Sequence, residues 1–192
     1  MTEKGKYRVC GALAGTVNGL FGGGGGIPLA FLLRSWAKLS DKTALATCVA
    51  VIFPFCLVSV LVYAFRGALP LGEALPYLVG GLAGGWIGGG TLLLLCMTLF
   101  FGVEQRTAQA INLLYFLPTA GISLFAHRKN GYLDKAVLCA AIPTGTLCAL
   151  AAAFLTTMVD SSVFRKPFGL FLLYAGLSIL FEKKKNRKKE TP

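Results

Sequence analysis

The stretch Asn18 to Pro28, NGLFGGGGGIP, sets five consecutive glycines inside a run that otherwise reads as a membrane-spanning segment. Glycine in a helix interior costs about 1 kcal/mol against alanine, so five together break a helix rather than extend it. Backbone N–H and C=O groups freed at membrane depth must be satisfied by protein, water or a ligand. The break therefore poses two questions, what holds it and what it holds.

Outward from this stretch, the chain is apolar throughout. Hydrophobic residues make up 55% of its 192 residues and charged residues 14%, with a mean hydropathy of +0.68. That composition belongs to integral membrane proteins. Six apolar stretches follow one another, at about 9–33, 43–65, 74–103, 107–126, 136–159 and 167–181. All but the sixth reach the roughly 20 residues that cross a bilayer as a helix. The sixth is short and borrows Phe164 and the aliphatic stems of its basic neighbours. The expected fold is an all-α integral membrane protein, a single domain over 1–192 with about six transmembrane helical segments, the first and third broken at glycines.

The basic N-terminus before an apolar run resembles a signal peptide, but the run is longer than one and offers no convincing cleavage site, so it reads as a retained first segment. All six cysteines (Cys10, Cys48, Cys56, Cys96, Cys139 and Cys148) fall inside apolar stretches with no C-x-x-C pair. Buried thiols acting as small hydrophobes are expected, without disulfides, metal or cofactor.

The net charge of +11 and the tail KKKNRKK, Lys183 to Lys189, suggest nucleic acid at first sight. Basic residues also collect on the cytoplasmic side of membrane proteins. With six plain crossings, 13 of the 19 Lys and Arg share a side with both termini and six lie opposite. The tail at 182–192 then needs no partner beyond lipid phosphates, and both termini are expected in the cytoplasm, with the chain in the inner membrane. If the glycine-broken segments instead enter and return on the same side, the division becomes 15 against four. The charge rule does not choose between them.

Sliding the sequence against itself by 64 residues lays 43–69 over 107–133 without a gap. Thr43, Ala44, Ala46, Pro54, Ser59, Gly67 and Leu69 recur as Thr107, Ala108, Ala110, Pro118, Ser123, Gly131 and Leu133, and Gly24, Gly25 and Gly26 fall on Gly88, Gly89 and Gly90. Two repeats are expected, 9–69 and 73–133, followed by two closing helices over 136–181. Each repeat pairs a glycine break with a helix kinked at Pro54 or Pro118. Transporters are built from such repeats, with discontinuous helices at the substrate site; whether these two are parallel or inverted stays open.

The chemistry of such a break is that of a helix N-terminus. With Pro28 in the first turn of a new half-helix, the N–H groups of Gly23, Gly24, Gly25, Gly26 and Ile27 sit at the positive end of a helix dipole, an anion site. In the second repeat Gly88, Gly89 and Gly90 precede Thr91, whose hydroxyl can cap the half-helix or touch a ligand. No Lys or Arg lies in an apolar core, so Asn18, Thr47 and Asn112 complete a set of neutral donors. Each has a plainer reading: Asn18 and Asn112 as polar glue between helices, Thr47 and Ser59 as bonded to their own helix backbone. Gly80, Gly81, Gly84 and Gly85 have the spacing of close helix packing, whereas five glycines together do not. His127, beside Arg128 and Lys129, reads as interfacial.

"GTVNGLFGGGGGIPLAFLL" at 15–33, "ALATCVAVIFPF" at 44–55 and the closing "VFRKPFGLFLLYAGLSIL" at 163–180 resemble the sulfite exporter TauE/SafE family. The resemblance covers nearly the whole chain and implies a membrane carrier of sulfur-containing anions such as sulfite, sulfoacetate or thiosulfate. Family members typically have about eight membrane segments in two halves, so six leave room for a second copy, a homodimer, to complete a pathway. The second glycine triplet lacks the proline that follows the first, and Ala110-Ile111-Asn112 replaces the threonine-containing pattern kept at Ala46-Thr47-Cys48. The expected function is secondary transport of such an anion; the alternative is a non-transporting helper whose glycines pack against a partner. An intramembrane enzyme is disfavoured, because no acid, base or metal-binding cluster lies at depth.

Overall fold

The computed structural model describes residues 2–23, 25–67, 97–98 and 100–159, with isolated positions 163, 167, 169, 170 and 173 beyond them. Most of the expected third and sixth stretches, and all of the second glycine triplet, Thr91 and Cys96, lie outside these residues, as does Gly24. Five helices are described: α1 (Glu3–Phe21), α2 (Gly26–Ser35), α3 (Asp41–Phe65), α4 (Gln105–Lys129) and α5 (Lys135–Met158). Three of them, α3, α4 and α5, are long and apolar enough to cross a membrane.

Local chemistry sets their ends. α1 stops where Gly22 turns left-handed (φ 66°, ψ 30°) and its N–H donates to the Asn18 carbonyl at 2.8 Å. α3 starts on Ser40, whose hydroxyl accepts the Thr43 N–H at 3.3 Å. α5 starts on Asp134, whose Oδ1 accepts the N–H groups of Ala136 and Val137 at 2.9 and 3.1 Å. α4 ends on His127, Arg128 and Lys129, cations suited to the negative end of its dipole. α3 and α4 run on through Pro54 and Pro118, and α5 through Pro143.

The contacts between helices fix their directions. Gly11, Gly15 and Gly19 of α1 lie on Ala141, Gly145 and Ala149 of α5 in the same order, so α1 and α5 run parallel. Thr47 of α3 meets Asp134 while Phe55 meets Gly145, which makes α3 parallel to both. α4 runs against them: Gln109 bonds Tyr63, Gly121 faces Phe53, and Arg106 reaches the carbonyls of Thr157 and Val159. α2 also runs against α3, with the Gly26 carbonyl at Cys48 and Arg34 paired with Asp41. Helix α1 thus enters from one end of the bundle and α2 returns to that same end.

The α1–α5 seam depends on small residues. A Cβ added to Gly11, Gly15 or Gly19 would collide with the α5 backbone at Ala141, Gly145 or Ala149. This spacing of four is the close-packing motif of membrane helices, at glycines the sequence reading passed over in favour of Gly80 to Gly85. Inside, Leu29 and Leu33 of α2, Val51, Phe55 and Tyr63 of α3, and Val137 of α5 are fully buried.

The ends differ in charge. Among the described residues, Lys4, Lys6, Arg8, Arg34, Lys38, Lys42, Arg128, Lys129 and Lys135, nine basic residues, belong to the end where α1 begins, against Arg66 and Arg106 at the other. Arg66 lies over the Phe154 ring at 4.4 Å, tying α3 to the last turns of α5. Of the described cysteines, Cys10, Cys48 and Cys56 are buried, Cys148 is half-buried and Cys139 is exposed, all as free thiols.

Candidate functional site

The ten residues of α2 rise about 15 Å, half of a hydrocarbon core about 30 Å thick. Because α2 returns to the end where α1 began, its N-terminus stands about midway through the bundle. Gly25 is the N-cap and no side chain caps it. Pro28, third residue of α2, has no N–H to leave unmet, and Leu29 donates to the Gly25 carbonyl at 3.3 Å. Gly26 and Ile27 are thus the two helix donors without an intrahelical acceptor.

The opposite side of the break, the carbonyl end of α1, is held by side chains from three helices. Asn112 Nδ2 donates to the Gly22 carbonyl at 2.7 Å and Gln109 Nε2 to the Leu20 carbonyl at 3.2 Å. The Tyr63 hydroxyl donates to Gln109 Oε1 at 3.1 Å and approaches the Gly19 carbonyl at 3.5 Å, where the Thr156 hydroxyl also lies at 3.4 Å. The freed carbonyls are met by protein, as membrane depth requires. On the α2 side, the Cys48 thiol donates to the Gly26 carbonyl at 3.3 Å.

The glycines are needed for approach as well as for turning. A Cβ on Gly22 would strike Gln109, one on Gly23 would strike Asn112, and one on Gly25 would strike the Ala14 carbonyl and Asn18. Gly22 and Gly23 also hold φ of 66° and 150°, values that side-chain-bearing residues rarely adopt. The run therefore serves close packing too, a role its lack of four-residue spacing had argued against.

Two buried polar atoms beside the break have no partner. Asn18 is fully buried; its Oδ1 accepts from the Cys56 thiol at 3.6 Å, and its Nδ2 meets no acceptor. Asn112 is 3% exposed, and its Oδ1 meets no donor. An unmet buried group costs about 1–3 kcal/mol, so these two make the break the candidate site. Among the described residues, no Lys, Arg, Asp or Glu bonds to the break, and no cluster of His, Cys, Asp and Glu could hold a metal ion.

Of the expected site residues, the structure brings Asn18, Gly23, Gly25, Gly26 and Asn112 together, with Ile27 following in α2. Thr47 does something else. Its hydroxyl accepts the Asp134 N–H at 3.2 Å and joins α3 to the start of α5, neither bonding its own helix nor facing the break. Ser59 is buried with its hydroxyl unpartnered. Gln109, Tyr63 and Thr156 were missed. A signal for Gln109 exists: Arg106, Gln109 and Asn112 recur every third residue along one face of α4.

Comparison with protein families finds the model described as Sulfite exporter TauE/SafE matching residues 2–92 and again residues 87–192. No curated protein and no solved structure matches the chain.

Proposed function

The chain belongs to the sulfite exporter TauE/SafE family, which implies membrane transport of an anion, and from that premise we propose a secondary carrier of small sulfur-containing oxyanions or organosulfonates. The substrate class is of the sulfite, thiosulfate or sulfoacetate type, and the anion is held at the start of α2. One observation carries the reading: a half-helix N-terminus at mid-depth, uncapped, with the unmet amide donor of buried Asn18 beside it. Backbone donors at a positive helix end attract an anion without a fixed cation. Such neutral donors bind weakly enough to release their cargo, which a carrier requires.

The architecture supports alternating access. α3 and α4 are both 25 residues long, begin 64 residues apart and carry proline at the same position. Lys38 and Gly102 before them, and Gly67 and Gly131 after them, are also 64 apart and all have positive φ. The two helices run in opposite directions, which favours inverted rather than parallel repeats. In an inverted repeat Gly88, Gly89, Gly90 and Thr91 are the counterpart break, serving the opposite face. The nine-to-two excess of basic residues favours a cytoplasmic location for the end where α1 begins, in the inner membrane.

Flux of radiolabelled sulfite into proteoliposomes holding only the purified chain tests the proposal. Flux is expected, and Gly25→Ala, the smallest change at the α2 N-terminus, lowers it while the protein still folds. Anion-independent background from well-folded protein would overturn the carrier reading and leave the helper alternative.

A further inference from the structure

The unmet atoms at the break are of opposite kinds. Asn18 Nδ2 is a donor lacking an acceptor, and Asn112 Oδ1 is an acceptor lacking a donor. The two side chains border adjacent parts of the break: Asn112 Nδ2 holds the Gly22 carbonyl and lies against Gly23, and the Asn18 Cβ lies against Gly25, the N-cap of α2. Each has its other polar atom engaged, Asn18 Oδ1 by the Cys56 thiol and Asn112 Nδ2 by Gly22.

A fully ionised oxyanion accepts hydrogen bonds and gives none. It satisfies Asn18 Nδ2 and the N–H groups of Gly26 and Ile27, but sets its charge against the lone pairs of Asn112 Oδ1. A singly protonated oxyanion satisfies all of them. Its charge is also halved relative to the dianion, which matters because among the described residues no cation bonds to the break and desolvating a charge is costly. Resting on the carrier reading, we infer that this site takes its anion as the protonated monoanion, hydrogensulfite in the case of sulfite. Asn112 Oδ1 accepts the ligand's acidic proton, and Asn18 Nδ2 with the α2 N-terminus holds its bare oxygens. Methanesulfonate, a monoanion with no acidic proton, leaves Asn112 Oδ1 unmet and binds less well, as do thiosulfate and sulfoacetate, which are fully ionised near neutral pH.

The titratable groups around the break are few. α3 brings the thiols of Cys48 and Cys56 and the phenol of Tyr63; α4 brings Arg106 one turn before Gln109; α5 has Cys148 next to Ala149, which Gly19 touches. α1 and α2 bring none within the turns that form the break.

Thermal stabilisation of the purified full chain by sulfite and by methanesulfonate, each below and above the second ionisation of sulfurous acid, tests this. For sulfite, the apparent Kd in total anion is expected to rise about tenfold per pH unit above that ionisation, following the hydrogensulfite fraction. Methanesulfonate, whose charge is constant, is expected to bind more weakly and equally at both pH values. Sulfite bound as tightly when fully ionised, or methanesulfonate bound as tightly as hydrogensulfite, overturns the inference and leaves the carrier reading standing. Methanesulfonate binding that moves with pH in step with sulfite assigns the pH dependence to the protein and also overturns it. Absence of binding by either anion at every pH removes the carrier reading itself.

Discussion

Asn112 of α4 donates to the backbone carbonyl of Gly22 at 2.7 Å, across 90 positions of sequence. One carboxamide thereby closes the carbonyl end of a helix that stops inside the bundle. Its neighbour one turn back, Gln109, does the same for Leu20 while accepting from Tyr63. Removing one partner leaves a buried carbonyl unmet, so Asn112→Leu is expected to lower stability by about 1–3 kcal/mol. Gln109→Leu, which orphans the Leu20 carbonyl and leaves the Tyr63 hydroxyl only its longer approach to the Gly19 carbonyl, is expected to cost at least as much. Thermal unfolding in detergent reads both, and unchanged midpoints would show that the break is not held from α4.

The seam between α1 and α5 predicts a steeper effect. Gly15 lies directly on the backbone of Gly145, which in turn faces the Phe55 ring. Gly15→Val has to push the helices apart, and an overpacked core costs about 1–3 kcal/mol or more. Loss of the folded monodisperse species on size-exclusion chromatography is expected for Gly15→Val, whereas Gly131→Ala, with nothing nearby, keeps it.

Gly25 separates packing from backbone strain. Its φ of −66° suits any residue, so Gly25→Ala meets no backbone strain. The added methyl nevertheless strikes the Ala14 carbonyl and must displace the α2 N-terminus. Anion flux is expected to fall at least tenfold in Gly25→Ala. Gly131→Ala, at φ 71° in open space, carries a local strain of about 1–2 kcal/mol and is expected to transport normally. Equal flux in the two variants would detach transport from the break.

Helix directions make a topological prediction. In a cysteine-free background, Thr2→Cys and Lys38→Cys are expected to react with a membrane-impermeant maleimide from the same side, and Gly67→Cys from the other. A plain crossing by residues 9–33 would instead put Thr2→Cys and Lys38→Cys on opposite faces.

Membrane class, an all-helical fold and the family were legible in the sequence, because each depends on composition or on contiguous pattern. Apolar runs at 43–65, 107–126 and 136–159 became α3, α4 and α5 within a few residues, since hydrophobic length is a local quantity. The importance of the glycine run was legible too, as were Asn18 and Asn112, because polar residues in apolar surroundings stand out. The direction in which α2 leaves the break was not. Charge counts of 13 against six and 15 against four serve a crossing and a return equally well. Only the contacts of Gly26 with Cys48 and of Arg34 with Asp41 decide for the return.

The same division holds for individual residues. Sequence alone determined that neutral donors would line any site at mid-depth, because it places no charge there. The tertiary structure decided which donors those are. It took Thr47 away to Asp134 and brought in Gln109, Tyr63 and Thr156 to hold α1's carbonyls. It also left one amide donor, on Asn18, and one amide acceptor, on Asn112, unmet at the borders of the break. Hydrogen-bond partners up to 137 residues apart are set by how helices pack, and no local pattern in the chain encodes that distance.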